Sequence, residues 1–250
     1  LVGYNTDGDG FIESVLTPHP GETRSFVASL KGLDVLLLGA GGSARAVAFS
    51  LADRLDGGKL VVCNRTLEHA RSLAAEIHKA GAQAAQVISE DELTVWAPKV
   101  SFIVNSTIKG QGGVRKLPDG SEINMEPYSA LASAHPANSS ESDYATAPSD
   151  RRRRNISRPD IEANNQISLS LARLIPSNVG FYDLVYFPEE TVFLRHGRIT
   201  GHRTMNGKGM IVYQAAIAFS QYIFKAELQS RGIGKPDTLS RITEIMYEAW

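Results

Sequence analysis

Three stretches of the chain combine residue types and spacings that suit binding chemistry. The first is NTDGDG near the start, where Asn5, Thr6 and Asp7 set an amide, a hydroxyl and a carboxylate before glycines, ahead of any hydrophobic run. On local chemistry alone this is either a polar binding set or an Asx turn. The second is LLLGAGGSARA, in which Gly39, Gly41 and Ala44 fit G-x-G-x-x-G/A directly after an apolar run and ahead of helical spacing. Gly39 permits a tight turn, Gly41 lets backbone approach a pyrophosphate, and Ala44 keeps the helix close to the strand, while the helix N-terminus favours an anion. The third is Asn64-Arg65-Thr66 at the end of the next apolar run. Folds that take NAD commonly place an acidic residue there to hold the ribose 2′-hydroxyl. An arginine suits a 2′-phosphate instead, because its planar cation makes two charge-assisted bonds to the oxygens. The expected cofactor is therefore NADP.

The elements that must carry these residues alternate in period. Residues 35–38 are continuously apolar, as in a strand covered on both faces, and Ala46, Val47, Phe49, Ser50 and Leu51 follow at spacings that suit a helix packed on it. KLVVCNRTLEHARSLAAEIHKAG repeats the pattern, with a strand near 59–63 and a helix ended by Gly81. Short apolar runs in AAQVI and VSFIV flank a segment in which Ser89 and Glu92 have capping-box spacing, and GFYDLVY supplies a further strand. Strands alternating with helices predict an α/β fold with a Rossmann-like, doubly wound parallel sheet.

The chain has 250 residues, 42% of them hydrophobic, and a formal net charge of -1. That is enough to bury a sizeable core, and it gives no bulk electrostatic reason for binding nucleic acid or an acidic membrane. No apolar run reaches the roughly 18 residues that span a bilayer. The single cysteine, Cys63, lies among apolar neighbours and reads as a buried hydrophobe. A cytoplasmic setting is expected, with no metal, since no His/Cys/carboxylate spacing fits a ligand set.

NTDGDGF, GAGGSARA, NRT, NSTIKG, YDLVYFPEET and GKGMIVYQAAIAF run in an order and approximate spacing that resembles the shikimate dehydrogenases, including the quinate/shikimate enzymes. The resemblance implies NADP-dependent interconversion of shikimate and 3-dehydroshikimate, a step towards aromatic amino acids, by a monomer or homodimer. It assigns Asp7 to the substrate hydroxyls and to holding a catalytic lysine, with the nearby glycines letting the chain cross between domains. It gives Tyr182 and Gln214 substrate contacts. Cofactor contacts fall to Gly39, Ala40, Gly41, Gly42, Ser43, Asn64, Arg65, Thr66, His69, Ser106, Thr107, Gly207 and Met210. Gln214, on an apolar helix, reads equally as a structural hydrogen-bonder, and Met210 as core.

The departures carry expectations too. The usual N-A-T-P-x-G-M segment appears as Asn105-Ser106-Thr107-Ile108-Lys109-Gly110-Gln111, and without its proline that loop is expected to be looser, with Lys109 exposed. His69 stands where a second basic residue often grips the 2′-phosphate, which makes the clamp weaker or pH-dependent. The family's N-V-T-x-P-x-K segment, with its proton-transfer lysine, has no counterpart in the sequence, and its S-x-S motif belongs to a half ahead of NTDG. Residues 1–30 are therefore expected to be the edge of a mostly absent substrate domain with a connecting helix, 31–205 the cofactor domain, and 206–250 helices that pack with that substrate domain. The expected chain is incomplete for catalysis; the alternative is a noncatalytic module binding NADP(H) or shikimate-like ligands. Residues 132–166, polar and rich in Pro, Ser and Asn, are expected to form a disordered insertion, with Arg151–Arg154 as solvated charge.

Overall fold

The computed structural model describes residues 3–83, 85–116, 122–124, 127–134, 151–233 and 237–250. Its centre is a six-stranded parallel sheet of β1 (Val35–Leu38), β2 (Leu60–Cys63), β3 (Gln86–Ile88), β4 (Phe102–Asn105), β7 (Gly180–Asp183) and β8 (Thr204–Met205). The strands run in the order β3-β2-β1-β4-β7-β8. A separate antiparallel pair, β5 (Val114–Lys116) and β6 (Glu122–Asn124), stands outside it. β1 pairs with β2 on one side and β4 on the other, Leu38 lying opposite Cys63 and Asn105. All four residues of β1, β2, β4 and β7 are buried, as a sheet covered on both faces requires.

Two apolar layers sandwich the sheet. On one face α2 (Gly42–Arg54) and α3 (Leu67–Lys79) pack through Val47, Leu51, Leu73 and Ile77. The same cluster takes in Phe11, Ile12 and Val15 of α1 (Asp7–Leu16) and Met210 of α7 (Lys208–Ile217). Both helices from the flanking segments thus share the core of the cofactor-type sheet. On the other face Leu36, Leu38 and Ile103 meet Leu93 of the short α4 (Leu93–Trp96), Leu171 of α5 (Arg151–Leu174) and Phe193 of α6 (Val192–Ile199). A π-helical stretch, 218–223, leads to α8 (Lys225–Ser230) and α9 (Asp237–Glu248). The C-terminal part leaves Ile223, Phe224, Ile245 and Trp250 exposed.

Several local readings hold. Ser89 N–H donates to Glu92 Oε2 at 2.8 Å in a capping box, and Gly81 adopts φ +86° just past α3. The expectation of a disordered stretch over 132–166 is corrected from Arg151 onward, where α5 begins; 135–150 lie outside the described residues. The helix was illegible because polar side chains take its inward positions. Asn164 is buried, accepting from Ser129 N–H at 2.8 Å and donating to Ala132 O and Ser133 O at 3.0 Å, and Ser168 Oγ bonds His196 Nδ1 at 2.8 Å. Ser168-Leu169-Ser170 has the bare S-x-S spacing, but its first serine belongs to this core network.

Candidate functional site

The strand order reverses direction of growth between β1 and β4, and a crevice opens there beyond the strand ends. It is a groove of about 420 Å³, lined by Ser43, by Ser106, Thr107, Ile108, Gln111 and Gly112 after β4, and by Leu184, Val185, Tyr186 and Phe187 after β7.

One end of the groove is built from backbone. Gly39 turns the chain at φ +112°, and a Cβ there would lie 2.6 Å from Ser106 Oγ, so both conformation and space demand glycine. Gly41 is the N-cap of α2 in extended conformation, without a side-chain cap, and the first turn of the helix carries no acidic residue. A Cβ added at Gly41 or Gly42 would meet nothing within 4 Å. These two glycines therefore leave open space in front of a helix N-terminus whose first N–H groups have no side-chain partner. Beside it, at the end of β2, Arg65, Thr66 and His69 are exposed. Asn64 Nδ2 donates to Thr66 O at 2.8 Å and shapes that turn, while Arg65 makes no ion pair among the described residues.

The other end is built from buried side chains. Asn105 closes β4: its Oδ1 accepts from Thr107 N–H at 2.9 Å and Thr107 Oγ1 at 2.7 Å, and its Nδ2 donates to Asp183 Oδ1 at 2.8 Å. Asp183 closes β7, accepting also from Val185 N–H at 3.0 Å and from Thr191 Oγ1 at 2.6 Å. Burial pushes the Asp183 carboxyl up to about 7, against the hydrogen bonds that favour its charged form. The loop after β4 is thus tied by the Asn105 side chain where the expected proline would have stiffened it. Lys109, expected to be exposed, is largely buried instead. Its Nζ bonds Glu90 Oε1 and Ala132 O, each at 2.7 Å.

The expected substrate tyrosine is also corrected. Tyr182 is fully buried within β7, its hydroxyl 2.7 Å from Ser14 Oγ and its ring edge-on to Phe11, and burial raises its pKa. The tyrosine on the groove is Tyr186, 44% exposed and set edge-on to Trp250. A strand that ends at Asp183 sends only the following residues into a crevice, so Tyr186 reaches it and Tyr182 does not. Met210 is core, 6% exposed.

Asp7 and Gln214 are partly buried and belong to the α1–α7 pair, not to the groove wall. Asp7 begins α1, with its N–H donating to Asn5 Oδ1 at 2.9 Å. The glycines after it let α1 pack closely on its neighbours. A Cβ at Gly8 would lie 2.8 Å from Ala46 O on α2, and one at Gly10 2.7 Å from the Gln214 Cβ on α7. Gly207 precedes α7 and sits against the groove's second wall, a Cβ there falling 2.0 Å from Leu184 O. Cys63 is buried and its thiol is pushed up to about 12, chiefly by desolvation. Among the described residues no cluster of three His, Cys, Asp or Glu suits a metal ion, and no helix is long and apolar enough to cross a membrane.

A glycine turn feeding an uncapped helix at the switch point of a β3-β2-β1-β4-β7-β8 sheet defines an α/β protein with the Rossmann-type fold. The shikimate/quinate 5-dehydrogenase family model matches residues 22–115. The NADP(+) shikimate dehydrogenase of Carboxydothermus hydrogenoformans is 28% identical over 222 residues, 89% of this chain and 58% of that protein; that of Desulforamulus reducens is 29% identical, over 88% and 56%. A crystal structure of a shikimate dehydrogenase in complex with NADP+ aligns with TM-score 0.55 and 27% identity, over 88% of this chain and 56% of that one. The chain is similar to the shikimate dehydrogenases over most of its length. It spans a little over half the length of the relatives it matches.

Proposed function

We propose that the chain binds NADP in this groove and contributes to shikimate dehydrogenase chemistry, the oxidation of a shikimate-type carbinol to its ketone. The observation that carries this reading is the uncapped N-terminus of α2 behind Gly41 and Gly42, open enough for a pyrophosphate to approach the backbone. Arg65, exposed and free of an ion pair among the described residues, suits a 2′-phosphate with two charge-assisted bonds. His69 and the first turn of α3 flank that position. The relatives named above are NADP(+) shikimate dehydrogenases, which supports both the nucleotide and the substrate class.

When bound, the nicotinamide ring accepts or donates the hydride. The residues of this chain bind, orient and exclude water. Gly39 and Gly41 admit the pyrophosphate, Ser106 and Thr107 line the wall beyond it, and Gly207 keeps the start of α7 close enough to the 184–187 segment to narrow the groove. Asp7, at the head of α1 against α7, is assigned to the substrate hydroxyls together with Gln214. Tyr186, on the groove wall, replaces Tyr182 as the candidate tyrosine contact.

Calorimetric titration with NADP and with NAD tests the cofactor reading. NADP is expected to bind at least tenfold more tightly, and Arg65→Ala is expected to lower NADP affinity about 10- to 100-fold with little change for NAD, the range for hydrogen bonds to a charged group. Equal loss for both nucleotides removes Arg65 from the 2′-phosphate. No binding of either to the folded chain reduces the glycine turn to architecture.

A further inference from the structure

Asp183 and Asn105 end two adjacent strands, and each stands one residue ahead of a wall of the groove. Asn105 governs the first wall, because its side chain holds Thr107 through both N–H and Oγ1 and donates to Lys109 O at 3.3 Å. Asp183 governs the second, because its Oδ1 holds Val185 N–H and its Oδ2 holds the hydroxyl of Thr191, the N-cap of α6. The bond from Asn105 Nδ2 to Asp183 Oδ1 joins the two sets. Further bonds from Leu184 N–H to Asn105 O at 2.8 Å and from Gly112 N–H to Phe187 O at 3.0 Å cross between the walls. We propose that Asp183 is a positioning residue for the groove, setting the register of its two walls through Asn105, Val185 and Thr191, so that the ionised carboxylate is the form competent to hold the nucleotide.

The hydrogen-bond inventory supplies the mechanism. Ionised Asp183 is an acceptor at both oxygens, and all three of its partners donate. A proton on Oδ1 would face the Asn105 and Val185 N–H groups. A proton on Oδ2 would face the Thr191 hydroxyl, which already accepts Leu194 N–H at 3.3 Å and would lose the acceptor for its own proton. The first breaks the tie to Asn105 that joins the walls, and the second reverses the bond that anchors the Thr191 cap beside the second wall. Because burial brings the carboxyl to about 7, that exchange falls in the neutral range.

Charged and titratable groups on the surrounding elements are engaged elsewhere. On the loop after β4, Lys109 binds Glu90. On α6, Arg195 and Arg198 bind Glu190 and His196 bonds Ser168. At the head of α7, Lys208 lies over the Tyr247 and Trp250 rings, and within β7 the Tyr182 hydroxyl meets Ser14.

The proposal rests on the NADP reading above, and its test separates the two. Amide resonances of Val185 and Thr107 are followed from pH 5.5 to 8.5, with NADP titrations across the same range. Both resonances are expected to move with one midpoint near 7, and NADP affinity to fall about tenfold from pH 8 to pH 6, as a binding form that is mostly ionised becomes mostly protonated. Asp183→Asn, a neutral isostere, is expected to flatten both responses and to bind at pH 8 as weakly as the native chain does at pH 6. Thr191→Val removes a donor to the ionised form and is expected to raise the midpoint, with Thr191→Ser restoring it. NADP binding that stays flat from pH 6 to pH 8, amides that titrate separately, or unchanged pH dependence in Asp183→Asn overturns the proposal alone. Absence of NADP binding at every pH overturns the cofactor reading and this proposal with it.

Discussion

The two ends of the groove are made in opposite ways. At the β1–α2 end the working groups are backbone N–H groups, the side chains have been removed at Gly39, Gly41 and Gly42, and the helix terminus stands open to solvent. At the β4–β7 end the working groups are side chains, Asn105, Asp183 and Thr191, all buried and all satisfied by one another. The first end tolerates water because its donors face solvent. The second excludes water, so every donor needs an acceptor within the fold, and one misplaced proton is costly. One end thus takes its affinity from emptiness, while the other takes its geometry from completeness.

The sharpest way to break the open end is Gly39→Ala. The substitution places Cβ 2.6 Å from Ser106 Oγ in a backbone region that L residues rarely adopt. Left-handed strain of about 1–3 kcal/mol and overpacking of about 1–3 kcal/mol together predict a loss of roughly 2–6 kcal/mol. Urea denaturation measures it. A loss below about 1 kcal/mol would mean that the turn rearranges freely and does not fix the distance between β1 and the 106–107 wall.

The closed end is tested through pH. A carboxyl raised in the fold keeps a proton that the unfolded chain releases near 4, so the folded state binds more protons and stability falls as pH rises between about 4 and about 7. From pH 5 to pH 7 this group alone is expected to remove about 2 kcal/mol. His196 acts in the opposite sense. Desolvation, and then Arg195, lower its pKa, so its contribution makes stability rise with pH up to its unfolded value near 6.5. The difference between the native chain and Asp183→Asn isolates the carboxyl: the variant should gain on the native chain as pH rises from 5 to 7. A constant difference would show that Asp183 stays ionised throughout.

The contrast between the ends also explains what the sequence made legible. The β1–α2 turn could be read because glycines five or fewer residues apart impose it locally, between a strand and a helix that each announce their own period. The partners Asn105 and Asp183 lie 78 residues apart, and nothing in either segment points to the other. The same blindness hid α5. Its inward Asn164 and Ser168 look like loop residues until their bonds to Ser129 and His196 are seen. Tyr182 and Tyr186 differ only in their place relative to the end of β7, a boundary that pattern alone locates within a few residues. Local backbone demands leave a signature, whereas long-range polar complementarity leaves almost none.

The smallest effect on stability is expected where the effect on binding separates best from it. Gly41 has φ −82°, which any residue adopts, and a Cβ there would meet nothing within 4 Å. Gly41→Ala should therefore change unfolding free energy by less than about 0.5 kcal/mol, the range of a surface substitution away from special features. If a pyrophosphate packs against that backbone, the added methyl occupies its approach, and NADP affinity should fall by about tenfold or more, some 1.4 kcal/mol. Gly39→Ala cannot make this distinction, since it damages fold and groove together. Gly41→Ala can: unchanged stability with lost binding assigns the glycine to the ligand, whereas unchanged stability with unchanged binding means that the nucleotide does not pass over the head of α2.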